Sequence, residues 1–243
     1  MRLRKLAVTV ASALTAATMM LTTMPATQVS AATIKNDQSK VAMYTREFHD
    51  TGSYGYHYKD YIRVAKSISY GKVYLNYKND QGVWEKDDTK FLTSLDDKYN
   101  IYVVDNQRAD WHSETYVSCE ANGNTYIDDN NGKNYTTENL GVSPLRVLQD
   151  NNYYGYASKY NVLVNLKNLA YQKDVKVRYT LDNWKTFKDA PLSYSMTYTD
   201  GTELLGTQID TNGADKDGFH FAVSYTVNGQ TYWDNNFGQN YGA

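Results

Sequence analysis

The residues with the most chemical character in this sequence are indoles set beside amides and carboxylates. Trp184 lies in the run Leu181-Asp182-Asn183-Trp184-Lys185-Thr186-Phe187, and Trp233 stands directly before Asp234-Asn235-Asn236. A flat ring of this kind packs against the C–H faces of a sugar, while neighbouring amides and carboxylates bind its hydroxyls. Trp84 lies in a comparable polar stretch, Lys78 to Lys90, read as a loop. The competing reading folds Trp84 and Trp184 back onto a core, since Trp is usually substantially buried; their matching places within a repeat favour stacking on a ligand. Trp111 has no counterpart and reads as core or interface.

Other chemistries fit less well. The segments Asp128-Asp129-Asn130-Asn131-Gly132 and Asp234-Asn235-Asn236-Phe237-Gly238 read as turns, calcium loops or sugar-binding loops, with turns the default because Asn, Asp and Gly favour them locally. Asp210 to Gly218 misses the EF-hand spacing and its closing Glu, so no metal is assigned. Adjacent acids such as Asp87-Asp88 and Asp96-Asp97 would point to opposite faces of a strand, whereas glycoside hydrolysis needs two carboxyl groups facing each other. His49, His57, His112 and His220 show no metal-ligand spacing, and no serine occupies a nucleophile elbow. A non-catalytic protein without cofactors is expected.

The elements that must position these indoles are strands. From Phe219 to Val227, apolar Phe219, Phe221, Val223, Tyr225 and Val227 alternate with His220, Ala222, Ser224 and Thr226, the pattern of a half-buried strand. Asn228-Gly229 then forms a two-residue hairpin turn that leads through Trp233 into the Asn-rich close. Tyr116 to Tyr135 repeats the V-S, N-G, T-Y, D, N, G and N-Y positions in register, which reads as a duplication. Further strands are expected at Val41–Tyr44, Tyr61–Val64, Val73–Tyr77, Ile101–Val104, Asn161–Leu166 and Val175–Tyr179. With 24 Tyr, 3 Pro and no Leu/Ala-rich helical run after the N-terminus, the 243 residues suit an all-β protein of two sandwich-sized modules, 40–139 and 140–243.

Residues 1–31 read as a secretory signal, with Arg2, Arg4 and Lys5 at the start, an apolar stretch from Leu6 to about Leu21 and Val29-Ser30-Ala31 for cleavage. Thr and Ser break that stretch, against a membrane anchor, so no membrane insertion is expected after cleavage. Residues 32–39 read as a loose leader. Removal of 1–31 takes away three positive charges and moves the net charge from −2 to −5, which disfavours nucleic acid as a partner. The single Cys119 excludes an intramolecular disulfide and alternates inward with Val117 and Ala121, as a buried structural thiol.

The runs V-K-V-R-Y-T-L-D-N-W-K-T-F from Val175 to Phe187 and V-N-G-Q-T-Y-W-D-N-N-F-G-Q-N-Y from Val227 to Tyr241 closely resemble the family 21 carbohydrate-binding modules. In the first copy the resemblance is looser, resting on I-S-Y-G-K-V from Ile68 to Val73, Trp84, and Tyr116 to Tyr135. It implies immunoglobulin-like β-sandwiches in tandem that bind starch, glycogen or maltooligosaccharides without hydrolysing them. The principal site it implies consists of Trp184, Trp233, Asn235 and Asn240 in the second copy, and Trp84, Tyr116, Asn130 and Asn134 in the first. Ala222 replaces Tyr116 and Ile127 replaces Trp233 between the copies, so each keeps a different aromatic pair. A second site implied by the resemblance involves Tyr171 and Tyr70, although a tyrosine closing a strand is ordinarily half buried with its hydroxyl in water. The rival reading is an adhesin, or a module using the same aromatics to hold a cell-surface or enzyme partner protein.

Overall fold

The computed structural model describes residues 33–50, 56–106, 114–136, 140–148, 158–211 and 217–242. The segment 1–31 expected to be a signal, Gly52, Gly55, Trp111 and His112 lie outside them. Among the described residues there are strands and two short 3-10 turns, at Lys66–Ile68 and Asn236–Gly238, and no α-helix.

The first half contains β1 (Thr33–Asn36), β2 (Val41–Asp50), β3 (Tyr56–Ala65), β4 (Lys72–Lys78), β5 (Trp84–Asp88), β6 (Lys90–Ser94), β7 (Tyr99–Asn106), β8 (Thr115–Ala121) and β9 (Asn124–Asp128). The second contains β10 (Leu145–Val147), β11 (Lys159–Lys167), β12 (Lys173–Thr180), β13 (Lys188–Pro191), β14 (Ser193–Thr197), β15 (Thr202–Asp210), β16 (His220–Val227), β17 (Gln230–Asp234) and β18 (Tyr241–Gly242). They form four sheets, ordered β1-β9-β8-β4-β5, β2-β3-β7-β6, β10-β11-β15-β14 and β13-β12-β16-β17, with β18 on β16. Leaving β1 and β18 aside, the second pair of sheets repeats the strand succession of the first.

Each pair of sheets closes on its own core. In the first, Val41, Met43, Ile62 and Val64 face Val73, Leu75, Val117 and Cys119. In the second, Val162, Val164, Leu166 and Ile209 face Val175, Val177, Phe221, Val223 and Tyr225. The alternation from Phe219 through β16 accounts for much of this, because Phe219, Phe221 and Tyr225 are fully buried and each such ring contributes roughly 1.5–3 kcal/mol on burial. Cys119 is enclosed in the first core, where burial pushes its thiol up to about 11. Both hairpins turn through Asn-Gly with positive φ at each residue, 53° and 69° at Asn122-Gly123 and 52° and 76° at Asn228-Gly229.

Two local expectations are corrected. Residues 33–36 are a strand, not a loose leader: β1 runs parallel to the otherwise unpaired edge of β9, and Asp37 N–H donates to the Ile127 carbonyl at 3.0 Å. Trp84 opens strand β5 rather than sitting in a loop. The Asn79 carboxamide oxygen accepts from Gln81 and Val83 N–H and closes the chain into a tight turn, so pairing with β4 resumes at Trp84↔Lys78.

The two halves are joined by a fixed connection. At a β-bulge in β2, Met43 and Tyr44 carbonyls accept from Val142 N–H (2.7 Å) and Ser143 N–H (2.8 Å). Gly141 passes so close, at φ 61°, that a Cβ would lie 2.3 Å from the Met43 oxygen. Buried Arg146 pairs with Glu47 and lies over the Tyr61 ring, while the Phe237 ring packs on Tyr61 (4.8 Å) and Tyr44 (5.8 Å).

Candidate functional site

The Asn-rich close of each half is built by the same lock. Asp234 is buried at the end of β17; its carboxylate accepts from the Tyr241 hydroxyl (2.7 Å), Val147 N–H (2.8 Å) and Asn236 N–H (3.2 Å). Asp128 does the same with the Tyr135 hydroxyl (2.6 Å), Met43 N–H (2.9 Å) and Asn130 N–H (3.1 Å). Burial, with the carboxylate beside it, raises both tyrosine hydroxyls above their ordinary range and keeps them as donors. The repeated Asp and Tyr therefore hold the loop rather than a ligand.

Within the lock the expected asparagines divide. Asn235 caps the next turn through Gly238 N–H (3.0 Å), as Asp129 does through Gly132 N–H (2.9 Å). Asn130 donates its amide to the Asn134 carbonyl (3.0 Å), the place held in the second half by Asn236 and Asn240 (3.3 Å). The counterpart of Asn235 is thus Asp129, and that of Asn130 is Asn236. Asn134 donates its side chain to Glu114 (2.9 Å), whereas the side-chain amide of Asn240 has no partner among the described residues.

Trp233 is 46% exposed on the outer face of β17. Beside it stands Arg178, its guanidinium 5.5 Å from the Trp233 ring and 4.4 Å from Phe187, held by a two-pronged pair with Asp189 at 2.8 and 2.9 Å. That pairing raises the Arg178 pKa and lowers that of Asp189. Phe187, Arg178 and Trp233 make a continuous exposed platform. Sequence reasoning missed Arg178 and Phe187; the signal was present, because Arg178 lies opposite Ala222, whose small side chain leaves room beside the indole.

Trp184 is half buried and makes no ring contact with Trp233 among the described residues. It is held in the β12–β13 turn at φ 64° by the Thr180 hydroxyl, which accepts its N–H at 2.9 Å. Asp182 organises that turn, accepting from Thr180 Oγ1 (2.7 Å), Thr186 N–H (2.9 Å) and Thr186 Oγ1 (2.7 Å), which holds its carboxyl down at about 2.

In the first half, Trp84 (41% exposed) meets Tyr116 edge to face at 5.0 Å, with the Lys78 ammonium 5.5 Å from the indole. Tyr70 and Tyr171 are not half-buried core residues: they are 66% and 97% exposed, because each lies beyond the last core position of its connection. Tyr171 stands away from Trp233, at a cleft of ≈ 740 Å³ shared with Leu192, Tyr194 and the Lys173–Glu203 pair. A polar cleft of ≈ 260 Å³ lies where the halves meet, with Trp233, Asn235 and Phe237 on one side and Tyr44, Thr93, Ser94 and Leu95 on the other.

Residues 158–243 match the carbohydrate/starch-binding module of family 21. The first half lies outside the match. Over 82 residues the chain is 43% identical to protein phosphatase 1 regulatory subunit 3B of Bos taurus, covering 32% of this chain and 29% of that protein. Over 80 residues it is 35% identical to glycogen-binding subunit 76A of Drosophila melanogaster, covering 32% and 12%. The chain thus spans under a third of the length of these curated relatives. Among solved structures, the carbohydrate-binding module of the muscle glycogen-targeting subunit of protein phosphatase 1 aligns at TM-score 0.36 and 23% identity, covering 41% of this chain and 73% of that one. The starch-binding domain of Rhizopus oryzae glucoamylase, solved with β-cyclodextrin and maltoheptaose, aligns at 0.32 and 27%, covering 41% and 92%. Residues 158–243 are thus similar to a carbohydrate/starch-binding module.

Proposed function

We propose that the protein is a secreted, non-catalytic binder of α-glucan chains, built from two immunoglobulin-like modules in tandem. The match of residues 158–243 to a starch-binding module carries this reading, and the exposed Phe187–Arg178–Trp233 platform supports it. Trp233 stacks on a glucose ring, Asn235 and Asn240 bind hydroxyls at its edge, and Trp184 contacts the chain from the adjoining turn. Tyr171 forms a separate contact. In the first half, Trp84 and Tyr116 offer a second platform, with Asn130, Asn134 and Tyr70 as lesser contributors. The repeated strand succession and the repeated Asp–Tyr lock support a duplication. Two platforms on one chain raise apparent affinity for a polymer by ~10²–10⁴ where both reach it.

Native gel mobility in amylopectin or glycogen tests this: the parent is retarded, and the Trp184→Ala and Trp233→Ala variants are less so. Unchanged mobility of the parent in every α-glucan rejects the reading. Cleavage after Ala31 predicts a secreted chain beginning at Ala32, read by mass spectrometry of culture medium. The names of the curated relatives also favour a protein partner, an enzyme brought to the polymer; co-purification of a phosphatase activity with the chain tests that second reading.

A further inference from the structure

The match to the binding module begins at residue 158, yet the Trp233 platform does not end at the edge of the second half. Trp233 and Asn235 form one wall of the ≈ 260 Å³ cleft at the junction, and Thr93, Ser94 and Leu95, at the end of β6, form the opposite wall. Its floor is polar, with the Ser143 hydroxyl and the buried Arg146 guanidinium, the latter 3.5 Å from Asp234. An indole on one side and hydroxyls on the other, in a space just under the ~300–1,000 Å³ of drug-sized pockets, suit a single sugar ring rather than an extended apolar ligand.

The cleft is fixed by the contacts that join the halves. Val142 and Ser143 hydrogen-bond to β2, Gly141 lies against the Met43 carbonyl, and Arg146 and Phe237 pack on Tyr61. The two walls therefore meet without a hinge to close, and a ligand spanning them pays little ordering cost.

We infer that this junction is an additional α-glucan subsite, in which the chain bound on Trp233 continues between the halves and its next glucose is held against Thr93 and Ser94. The inference rests on the α-glucan reading of Trp233 and adds to it a binding surface from the first half. Because the subsite lies beyond the platform, it distinguishes long chains from short ones.

A thiol footprint tests it in the full-length protein. Cys119 is buried with its thiol pushed up to about 11, so a Ser94→Cys variant carries one reactive thiol, on an exposed strand end where the substitution leaves the core untouched. Iodoacetamide modification is followed with and without maltoheptaose, while tryptophan fluorescence, compared with Trp233→Ala, reports occupation of the platform. The expected result is at least fivefold slower modification at saturating maltoheptaose. Modification at an unchanged rate, with the Trp233-dependent fluorescence change saturated, overturns the subsite and leaves the platform intact. If no maltooligosaccharide changes that fluorescence, the α-glucan reading falls and the subsite falls with it.

Discussion

The two halves share their framework and differ on their faces. Asp128–Tyr135 and Asp234–Tyr241 are the same lock, tied to β2 through Met43 N–H and to β10 through Val147 N–H. Around that lock the outward positions diverge: Tyr116 against Ala222, Ile127 against Trp233, Asn131 against Phe237. Buried polar pairs are costly to lose, because every partner must be satisfied again. Outward side chains change at little cost, so the halves present different surfaces on one strand succession.

The lock is the first place to break the comparison. Asp234→Ala leaves Arg146 to Glu47 alone and strands the Tyr241 hydroxyl, and is expected to cost ~2–4 kcal/mol. Asp128→Ala removes a carboxylate from neutral donors and is expected to cost ~1–3 kcal/mol. Urea unfolding measures both, and equal losses would remove Arg146 as the difference between the halves. Next, Trp233→Ala should weaken maltoheptaose binding about 30-fold, the ~2 kcal/mol of an interface anchor, while Trp84→Ala should leave the second-half site within about twofold. Isothermal titration separates them. A smaller gain is expected from Ile127→Trp, which gives the first half the indole of the second and should raise avidity for amylopectin severalfold in native gels.

The smallest effect concerns pH. The Asp182 carboxyl is held down at about 2, below its ordinary 3.8, because the Thr186 N–H and then the Thr180 and Thr186 hydroxyls donate to its charged form. A lowered folded-state value means that its hold on the Trp184 turn is complete above about pH 4 and is lost as the pH falls toward 2. Tryptophan fluorescence should stay constant from pH 8 to 4 and change below that, and Asp182→Asn should abolish the change.

Much of the framework was legible because it is local. The alternation along β16 and β12 and the two Asn-Gly turns depend on neighbours in sequence, and so does the exposed indole before Asp234. What was not legible depends on distance or on exact register. Asn130 and Asn235 look interchangeable in a run of Asp and Asn, but a shift of one position decides whether the side chain caps a turn or ties down a carbonyl. Nothing in Lys78 to Lys90 announces an edge strand at Trp84; the Asn79 turn makes one. Arg178 and Phe187 become part of a platform only when β12, β13 and β17 lie side by side. The junction could not be read at all, since Arg146 meets Glu47 across 99 positions of chain.

Phe237 has a consequence for how such a protein can be inherited. It takes a left-handed backbone, φ 54°, where the first half uses Asn131 at φ 58°, and a bulky residue there costs ~1–3 kcal/mol that an asparagine largely avoids. The outlay is recovered only while Tyr44 and Tyr61 cover the ring. A gene fragment encoding the second half alone, shuffled onto an unrelated enzyme, would carry the strain and a bare phenyl ring without the surface that justifies them. Recombination is therefore expected to move the two halves together, as a single heritable unit.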